Sequence, residues 1–578
     1  MIASIILRSL PRRSERFWLS KMTFTQKIAL LVLICTLLLS LLGCKKPDNG
    51  TNQPGNTKDH LVENEDYLDI TSSYDGISFS YNESLWYMND LSDVPLPDPY
   101  VFVEGSKYYI VGTNERNIDT VDCYVTTDFV TYEIYRDIYN PALYDGWEAD
   151  KPEIYAPEIY LFDGVYYMYY SADDKGGVRR CSVVVADNPL GPYEPLVNEV
   201  VDGLNNPLFY DKDHPSRALD TTIFTDDDGK MYMYFATRTD TQHIVGVEMI
   251  NPYQVDWSTY KEIVKPGTVD SESEEILLEW EMYRDSKLQI AEAPFMIKSG
   301  GKYYMTYSVN GCWNKYYNVC YTVSDSPLGN FVKPYEEGKM WTNLLLGYPG
   351  NNDSESLIFN QWAGFASGTG HHCFFYSGDE LMIGYHAHKN RNWDSKDYTE
   401  RYFAFDYLHF DENGVPFCNG PSYSVVNLPA DISGVHNVAA AATVTSTNVQ
   451  NADKIKDNYI VDCYNLDSRD NEVILGKGES YIELKLDHSY EIAGIIIYNS
   501  AYYDSYIIEI EYIDFGNGNI IYYPQFCEDF YVDQATEFIY PLSCFNLEML
   551  SSFESDSVKI GFNLPGGGSI NEVVILGK

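Results

Sequence analysis

Five short segments of this chain each carry an acidic residue or a histidine near the start and run on into strand-forming sequence. They are PDPYVFVEGSKYYIVGT, YAPEIYLFDGVYYMYYS, LDTTIFTDDDGKMYMYFA, AEAPFMIKSGGKYYMTYS and GTGHHCFFYSGDELMIGYHAH. Their lead residues are Asp98, Glu158, Asp220, Glu292 and His371, spaced 60, 62, 72 and 79 residues apart. Carboxyl groups held at different pKa values can divide the roles of acid and base between them. Like charges brought together raise each other's pKa and cost folding energy, so their convergence would signal function.

The local chemistry of each copy specifies a hairpin. EGSK, FDGV, DDDGK and SGGK supply the Gly or Asp that a tight turn with positive φ requires. After the second and fourth copies a further strand with a shared ending can be read, in SVVVADNPLGPYEPL and NVCYTVSDSPLGNFVKP. About four short strands recurring every ~60–80 residues predict the blades of a β-propeller. The inner strand of each blade begins at the central channel, so the five lead residues are expected to meet at one axial opening.

These copies resemble glycoside hydrolase family 43, the five-bladed propellers that include arabinofuranosidases, β-xylosidases and arabinanases, over roughly residues 90–425. The resemblance implies that Asp98 is the general base, Glu292 the general acid, and Asp220 the group that orients the acid and tunes its pKa. Cleavage with inversion needs an acid on the leaving oxygen and a base on a water at the opposite ring face, with the carboxyls about 6.5–9.5 Å apart. The closing stretch ERYFAFDYLHFDENGVPF also looks like the family's last strands. By the same resemblance His371 lies on the axis beneath the site, near a calcium held through water. Arg401 matches a family arginine that holds a sugar hydroxyl or a carboxylate, although an interblade salt bridge suits it equally. Glu158 is either a second acid at the substrate or a structural residue. The acidic stretch VDSESEEILLEWEMYRDSKLQ either shapes the pocket around Trp280 or is a surface loop. WYMND, from Trp86 to Asp90, imitates a motif of the fructosidases, but that family's Arg-Asp-Pro and Glu-Cys are not present.

The rest of the sequence sets the context. The expected fold is all-β: a five-bladed propeller over 81–428, then a β-sandwich over 429–578. In the second region YIELKL, IAGIIIY, YIIEIEYI, SVKIGFNL and NEVVILG read as short alternating strands. They resemble discoidin-like sandwiches of the family 32 carbohydrate-binding type, which implies sugar binding, with a purely bracing role as the alternative. Residues 1–43 read as a lipoprotein signal peptide, with basic residues before the apolar run IALLVLICTLLLSLL and a lipobox-like Leu-Leu-Gly-Cys that would make Cys44 the lipidated residue. Residues 44–80 read as a flexible tether. The expected location is therefore the bacterial cell envelope, with a lipid anchor as the only membrane association. A formal charge of −45 excludes nucleic acid as a partner and favours a neutral plant-type glycan over a polyanion. The 52 tyrosines suit strands and, secondarily, sugar faces. Of the 11 cysteines none forms a Cys-x-x-Cys pair, so no zinc or redox site is expected, although Cys312 and Cys320 could bridge across a hairpin. The function expected is a monomeric, cofactor-independent glycosidase, an α-L-arabinofuranosidase ahead of a β-xylosidase, with calcium admitted as a structural ion. The rival is a glycan-binding lipoprotein on a degenerate propeller.

Overall fold

The computed structural model describes residues 61–62 and 85–578, save for 90–93, 348–367, 389–400, 461–467 and several shorter breaks. The expected signal peptide and the lipidated Cys44 lie outside these residues.

Five antiparallel sheets follow one another along the chain. Blade one comprises Tyr100–Glu104, Lys107–Val111, Val121–Thr126 and Glu133–Tyr139. Blade two comprises Tyr155–Phe162, Val165–Asp173, Arg179–Ala186 and Glu194–Pro195. Blade three comprises Ala218–Thr225, Met231–Arg238, Gln242–Asn251 and Gln254–Val264. Blade four comprises Ala291–Ser299, Lys302–Val309, Asn318–Ser324 and Leu344–Leu346. Blade five comprises His372–Ser377, Glu380–His388, Arg401–Phe410 and Pro416–Cys418. The five hairpins read from sequence are the first two strands of the five blades. At the blade-two turn Asp163 and Gly164 take φ of 50° and 80°, the paired positive values a two-residue hairpin turn requires.

Most of the tyrosine excess goes into these sheets. Tyr108, Tyr139, Tyr169, Tyr170, Tyr193, Tyr234, Tyr307, Tyr317 and Tyr385 are fully or almost fully buried. Several use the hydroxyl to tie one blade to the next: Tyr169 donates to the carbonyl of Pro252, and Tyr234 to that of Pro327. The ring therefore contributes apolar area while its polar tip stays satisfied.

The WYMND stretch is structural. Trp86–Tyr87 pairs antiparallel with Val426–Asn427, holding the start of the propeller to the segment that leaves blade five. Asn89 donates to the carbonyl of Phe405 at 2.9 Å and to Ser422 Oγ at 3.0 Å; Asp90 lies outside the described residues. Within the expected tether, Leu61–Val62 pairs with Ile134 and Tyr135 as an added edge strand of blade one.

The acidic stretch between the third and fourth copies is surface loop in its first part, where Glu272, Glu274, Glu275 and Ile276 are exposed, but it does not shape a pocket around Trp280. Glu279–Met282 forms a 3-10 turn whose Trp280 is 3% exposed, within the apolar core of blade four. The Trp280 indole donates to Asn343 Oδ1 at 3.0 Å, so it lines no sugar pocket. Glu281 beside it is wholly buried and faces Lys333 Nζ at 2.6 Å, while also accepting from Tyr307, Asn343 and the Gly267 amide. Removing one partner of a buried pair strands the other charge in a dry core. Lys333→Met is expected to cost about 3–5 kcal/mol in unfolding free energy, measured by chemical denaturation.

The cysteines that could bridge do not: Cys312 and Cys320 are both free thiols. After the propeller a short helix, Ala430–Ser433, ends on Gly434 at φ 72°. It docks through Asp431, which accepts from Tyr108, and through its first amide on Glu380. The C-terminal region is a nine-stranded, mainly antiparallel sheet built on the long strands Gly478–Asn499 and Cys544–Leu564 and on Gly568–Gly577. It packs an isoleucine-rich core of its own. It meets the propeller through Tyr498, which donates to the carbonyl of Val425, and through the Phe417–Tyr459 ring pair.

Candidate active site

The inner strand of every blade enters the sheet through one residue with positive φ: Asp98 (53°), Ala156 (45°), Asp220 (55°), Ala293 (50°) and His371 (28°). None is glycine, so each costs roughly 1–3 kcal/mol that the surrounding structure must offset. In blades two, three and four the strand register shifts at this same point, so the residue bulges out of the ladder.

What offsets the strain is a ring of hydrogen bonds between neighbouring blades. The freed amide of Ala156 donates to Thr113 Oγ1 at 3.1 Å, that of Asp220 to Ser171 Oγ at 3.0 Å, and that of His371 to Ser308 Oγ at 3.1 Å. The Asp98 amide donates to His386 Nδ1 at 3.1 Å, closing the circle from blade five to blade one. In blade three the corresponding acceptor position is Ala236, which has no hydroxyl. There the amide of Ala293 turns to Asp220 Oδ2, at 3.1 Å. Asp220 thus holds the backbone next to Glu292.

This geometry brings together most of the residues singled out in the sequence. Arg401 Nη1 donates to Asp98 Oδ1 at 3.1 Å, and His371 Nδ1 stands 3.6 Å from the same oxygen. Thr113 donates to Asp98 Oδ2 at 2.6 Å. Glu292 accepts from Tyr317 at 2.9 Å on Oε1 and from Gln242 on Oε2. Two residues stand apart. Trp280 is in the blade-four core. Glu158 is not the lead residue of blade two; Ala156 is, and Glu158 lies two positions further along the strand. There it accepts a hydrogen bond from Tyr160, and burial lifts its carboxyl to about 8. His372 points away from the site, onto Thr306 Oγ1 at 2.6 Å.

The electrostatics divide the carboxyls. Burial alone would raise Asp98, but Arg401, His371 and the Thr113 hydroxyl outweigh it and hold the group below the ordinary aspartate value. Burial lifts Glu292 to about 7, assisted by the charge of Asp98 and opposed by the hydroxyl of Tyr317. Burial likewise lifts Asp220 to about 7, with His371 opposing and Glu292 and Asp98 reinforcing. Near neutrality the site therefore holds one firmly ionised carboxylate beside two groups that carry protons below about pH 7 and release them above it. Because the Tyr317 hydroxyl stabilises ionised Glu292, Tyr317→Phe is expected to move the alkaline limb of the pH–rate profile to higher pH, measured as kcat/KM across pH 5–9.

Sequence reading passed over His386, Gln242, Tyr317 and the hydroxyl ring. The ring had a visible signal, because the repeat copies end on Thr113, Ser171, Ala236, Ser308 and, in GYHAH, His386. No such signal marked Gln242 or Tyr317, which sit on third strands and the approaches to them.

Among the described residues no group of three or more His, Cys, Asp or Glu side chains is arranged to hold a metal ion. The side chains around His371 thus do not by themselves form a calcium site.

A five-bladed propeller whose axial mouth sets an ionised aspartate against a glutamate that keeps its proton up to about pH 7 is the scaffold of an acid–base hydrolase. Residues 87–416 match the model of the Glycosyl hydrolases family 43, and the chain belongs to that family. It is 28% identical over 250 residues to the Beta-D-galactofuranosidase xynD of Aspergillus niger, covering 43% of this chain and 57% of that enzyme. It is 28% identical over 255 residues to Xylosidase/arabinosidase 43A of Humicola insolens, covering 38% of this chain and 73% of that one. An extracellular endo-α-(1→5)-L-arabinanase of Thermotoga petrophila is 24% identical over 344 residues, covering 55% of this chain and 65% of its own length. Among solved structures, a thermostable family-43 glycoside hydrolase aligns at TM-score 0.47 and 25% identity, over 58% of this chain and 97% of its own.

Proposed function

We propose that this chain is an exported glycosidase that removes arabinose or xylose residues from plant-type glycans with inversion, α-L-arabinofuranosides ahead of β-xylosides. Asp98 takes a proton from the water that attacks the anomeric carbon. Glu292 gives its proton to the glycosidic oxygen as the bond breaks. Asp220 anchors the amide of Ala293, keeps Glu292 in place and, through the charge repulsion between the two carboxyls, favours a proton on the pair. Arg401 holds Asp98 ionised and oriented, and His371 supports it from the axis. The observation that carries this reading is the opposite displacement of Asp98 and Glu292, down and up, at one channel mouth. Relatives named as xylosidase/arabinosidase and arabinanase support the substrate class.

The test is a hydrolysis screen over aryl arabinofuranosides and xylosides, arabinan and arabinoxylan, with the first-formed anomer followed by NMR. Binding without turnover across the panel would favour the rival glycan-binding role, and a retained anomer would remove the inverting mechanism.

Three further assignments belong to the same proposal. Turnover needs no cofactor, and a calcium beside His371 would be structural and water-held, so chelation should alter melting rather than mechanism. The C-terminal sheet is a discoidin-like sugar-binding domain, which a glycan array probed with the full-length Glu292→Gln protein would test. The chain is monomeric and held in the cell envelope by lipid on Cys44, so Cys44→Ser should release it from the membrane fraction.

A further inference from the structure

The arginines around the catalytic mouth are not equally occupied. Arg401 is bound to Asp98. Arg179 holds Asp173 at 2.8 Å, lies 3.6 Å from Glu153 and stacks over Tyr155. Arg180 holds Asp174 at 2.8 Å. Arg217 and Arg238, by contrast, make no ion pair or side-chain hydrogen bond among the described residues, and the half-buried Arg217 keeps an Nε with no acceptor. The chain carries 85 acidic residues against 40 basic ones, so carboxylate partners are not scarce.

The backbone sets these two arginines side by side. Ala218 pairs with Thr237, and the Thr237 hydroxyl donates to the carbonyl of Arg217, so Arg217 and Arg238 flank one rung at the end of the first hairpin of blade three. Arg238 in turn pairs with Gln242, the residue that donates to Glu292. The charges that bear on Arg217 are Arg179 and Arg238 on one side, and Asp173 and Glu292 on the other. Asp173 is taken by Arg179, and Glu292 is already engaged by Tyr317 and Gln242. Burial first, and then the charges of Arg179 and of the exposed Arg238, work against the Arg217 cation, a cost that an anion joining it in use would offset. Because this pair sits on the side of the group that protonates the leaving oxygen, its ligand belongs to the part of the glycan that leaves.

We propose that Arg217, with Arg238 beside it, forms an anion-binding subsite on the leaving-group side of the cleavage point, and that its ligand is the carboxylate of a uronic acid residue in the glycan. The proposal rests on the glycosidase reading above and narrows its substrate to arabinosyl or xylosyl units borne on an acidic chain. A planar guanidinium takes a carboxylate through two parallel N–H donors, which a neutral sugar cannot reproduce. The chain's net charge opposes polyanions at a distance, but salt screens that field beyond about 8–10 Å, whereas a contact pair inside the mouth is screened far less.

The experiment compares two oligosaccharides that carry the same terminal sugar, one on a neutral and one on a uronic acid residue. The wild type is expected to favour the acidic substrate by about 10- to 100-fold in kcat/KM, the worth of a charged hydrogen-bonded contact, and mainly through KM. Arg217→Gln should bring that ratio close to one, Arg217→Lys should leave an intermediate ratio, and 0.5 M NaCl should diminish the wild-type preference. Equal rates on both substrates in the wild type, or a ratio unchanged in Arg217→Gln, would overturn the subsite while leaving the glycosidase reading intact. Absence of turnover on these and on aryl glycosides would instead overturn the glycosidase reading. Calorimetric titration with the uronate-bearing oligosaccharide then still reads the subsite, since binding weakened by Arg217→Gln supports it and no binding removes it.

Discussion

Asp98→Asn is expected to lower kcat/KM on every substrate by about 10²–10⁴-fold, the usual worth of a positioned general base. The replacement keeps the shape of the side chain and leaves an oxygen for Arg401, so the loss reports charge and basicity. Because Asp98 is held below the ordinary aspartate value, the wild type should keep its activity well into the acid range, falling only as pH drops through that lowered pKa. That limb should vanish in Asp98→Asn. Among the described residues Arg401 would keep Glu115, at 3.7 Å, as its remaining charge partner, so a modest fall in melting temperature should accompany the kinetic loss. An Asp98→Asn enzyme that kept most of its activity would mean that another group activates the water.

The second large effect depends on the leaving group. Glu292→Gln removes the proton donor, and its cost should reach about 10²–10⁴-fold on natural oligosaccharides, whose leaving oxygen must be protonated. On aryl glycosides with strongly acidic phenols the cost should be much smaller, because those groups depart without assistance. The wild-type rate should fall as pH rises through about 7, where Glu292 gives up its proton, and the variant should lose this alkaline limb. Equal losses across all leaving groups would point to a structural role for Glu292 and remove it as the acid. The two variants thus separate the opposite limbs of one bell-shaped profile, base ionised and acid protonated.

Much of this site could be read in the sequence because it is repeated. The turn residues and the strand pattern recur five times, with an acidic lead residue in four copies and a histidine in the fifth, and a repeat fixes blade geometry before any contact is known. Asp98, Asp220 and Glu292 were found that way, and so was the axial His371. The same reasoning misplaced Glu158, because aligning the copies by residue type matched its carboxyl with the others. The backbone aligns them by the positive-φ bulge, which falls at Ala156 in blade two and at Ala293 in blade four, so Glu158 lies two positions past the bulge whereas Glu292 lies only one before it, still at the mouth. Trp280 failed for a different reason. An aromatic residue in an acidic loop looks exposed, but Glu281 next to it finds Lys333 52 residues further on, and the pair draws Trp280 and Glu281 into the core while Glu279 stays exposed.

What the sequence determined by itself is what depends on neighbours along the chain: the hairpins, their number, the fivefold period and the residue types at each strand entry. Only the tertiary structure decided what depends on neighbours across blades. It set His386 under the amide of Asp98, sent the amide of Ala293 to Asp220 because Ala236 has no hydroxyl, and placed Arg401 against Asp98 from 303 residues away. The pKa values that separate base from acid arise from those cross-blade contacts and from burial. Burial and long-range charge are properties of the closed ring, and no short stretch of the chain contains them.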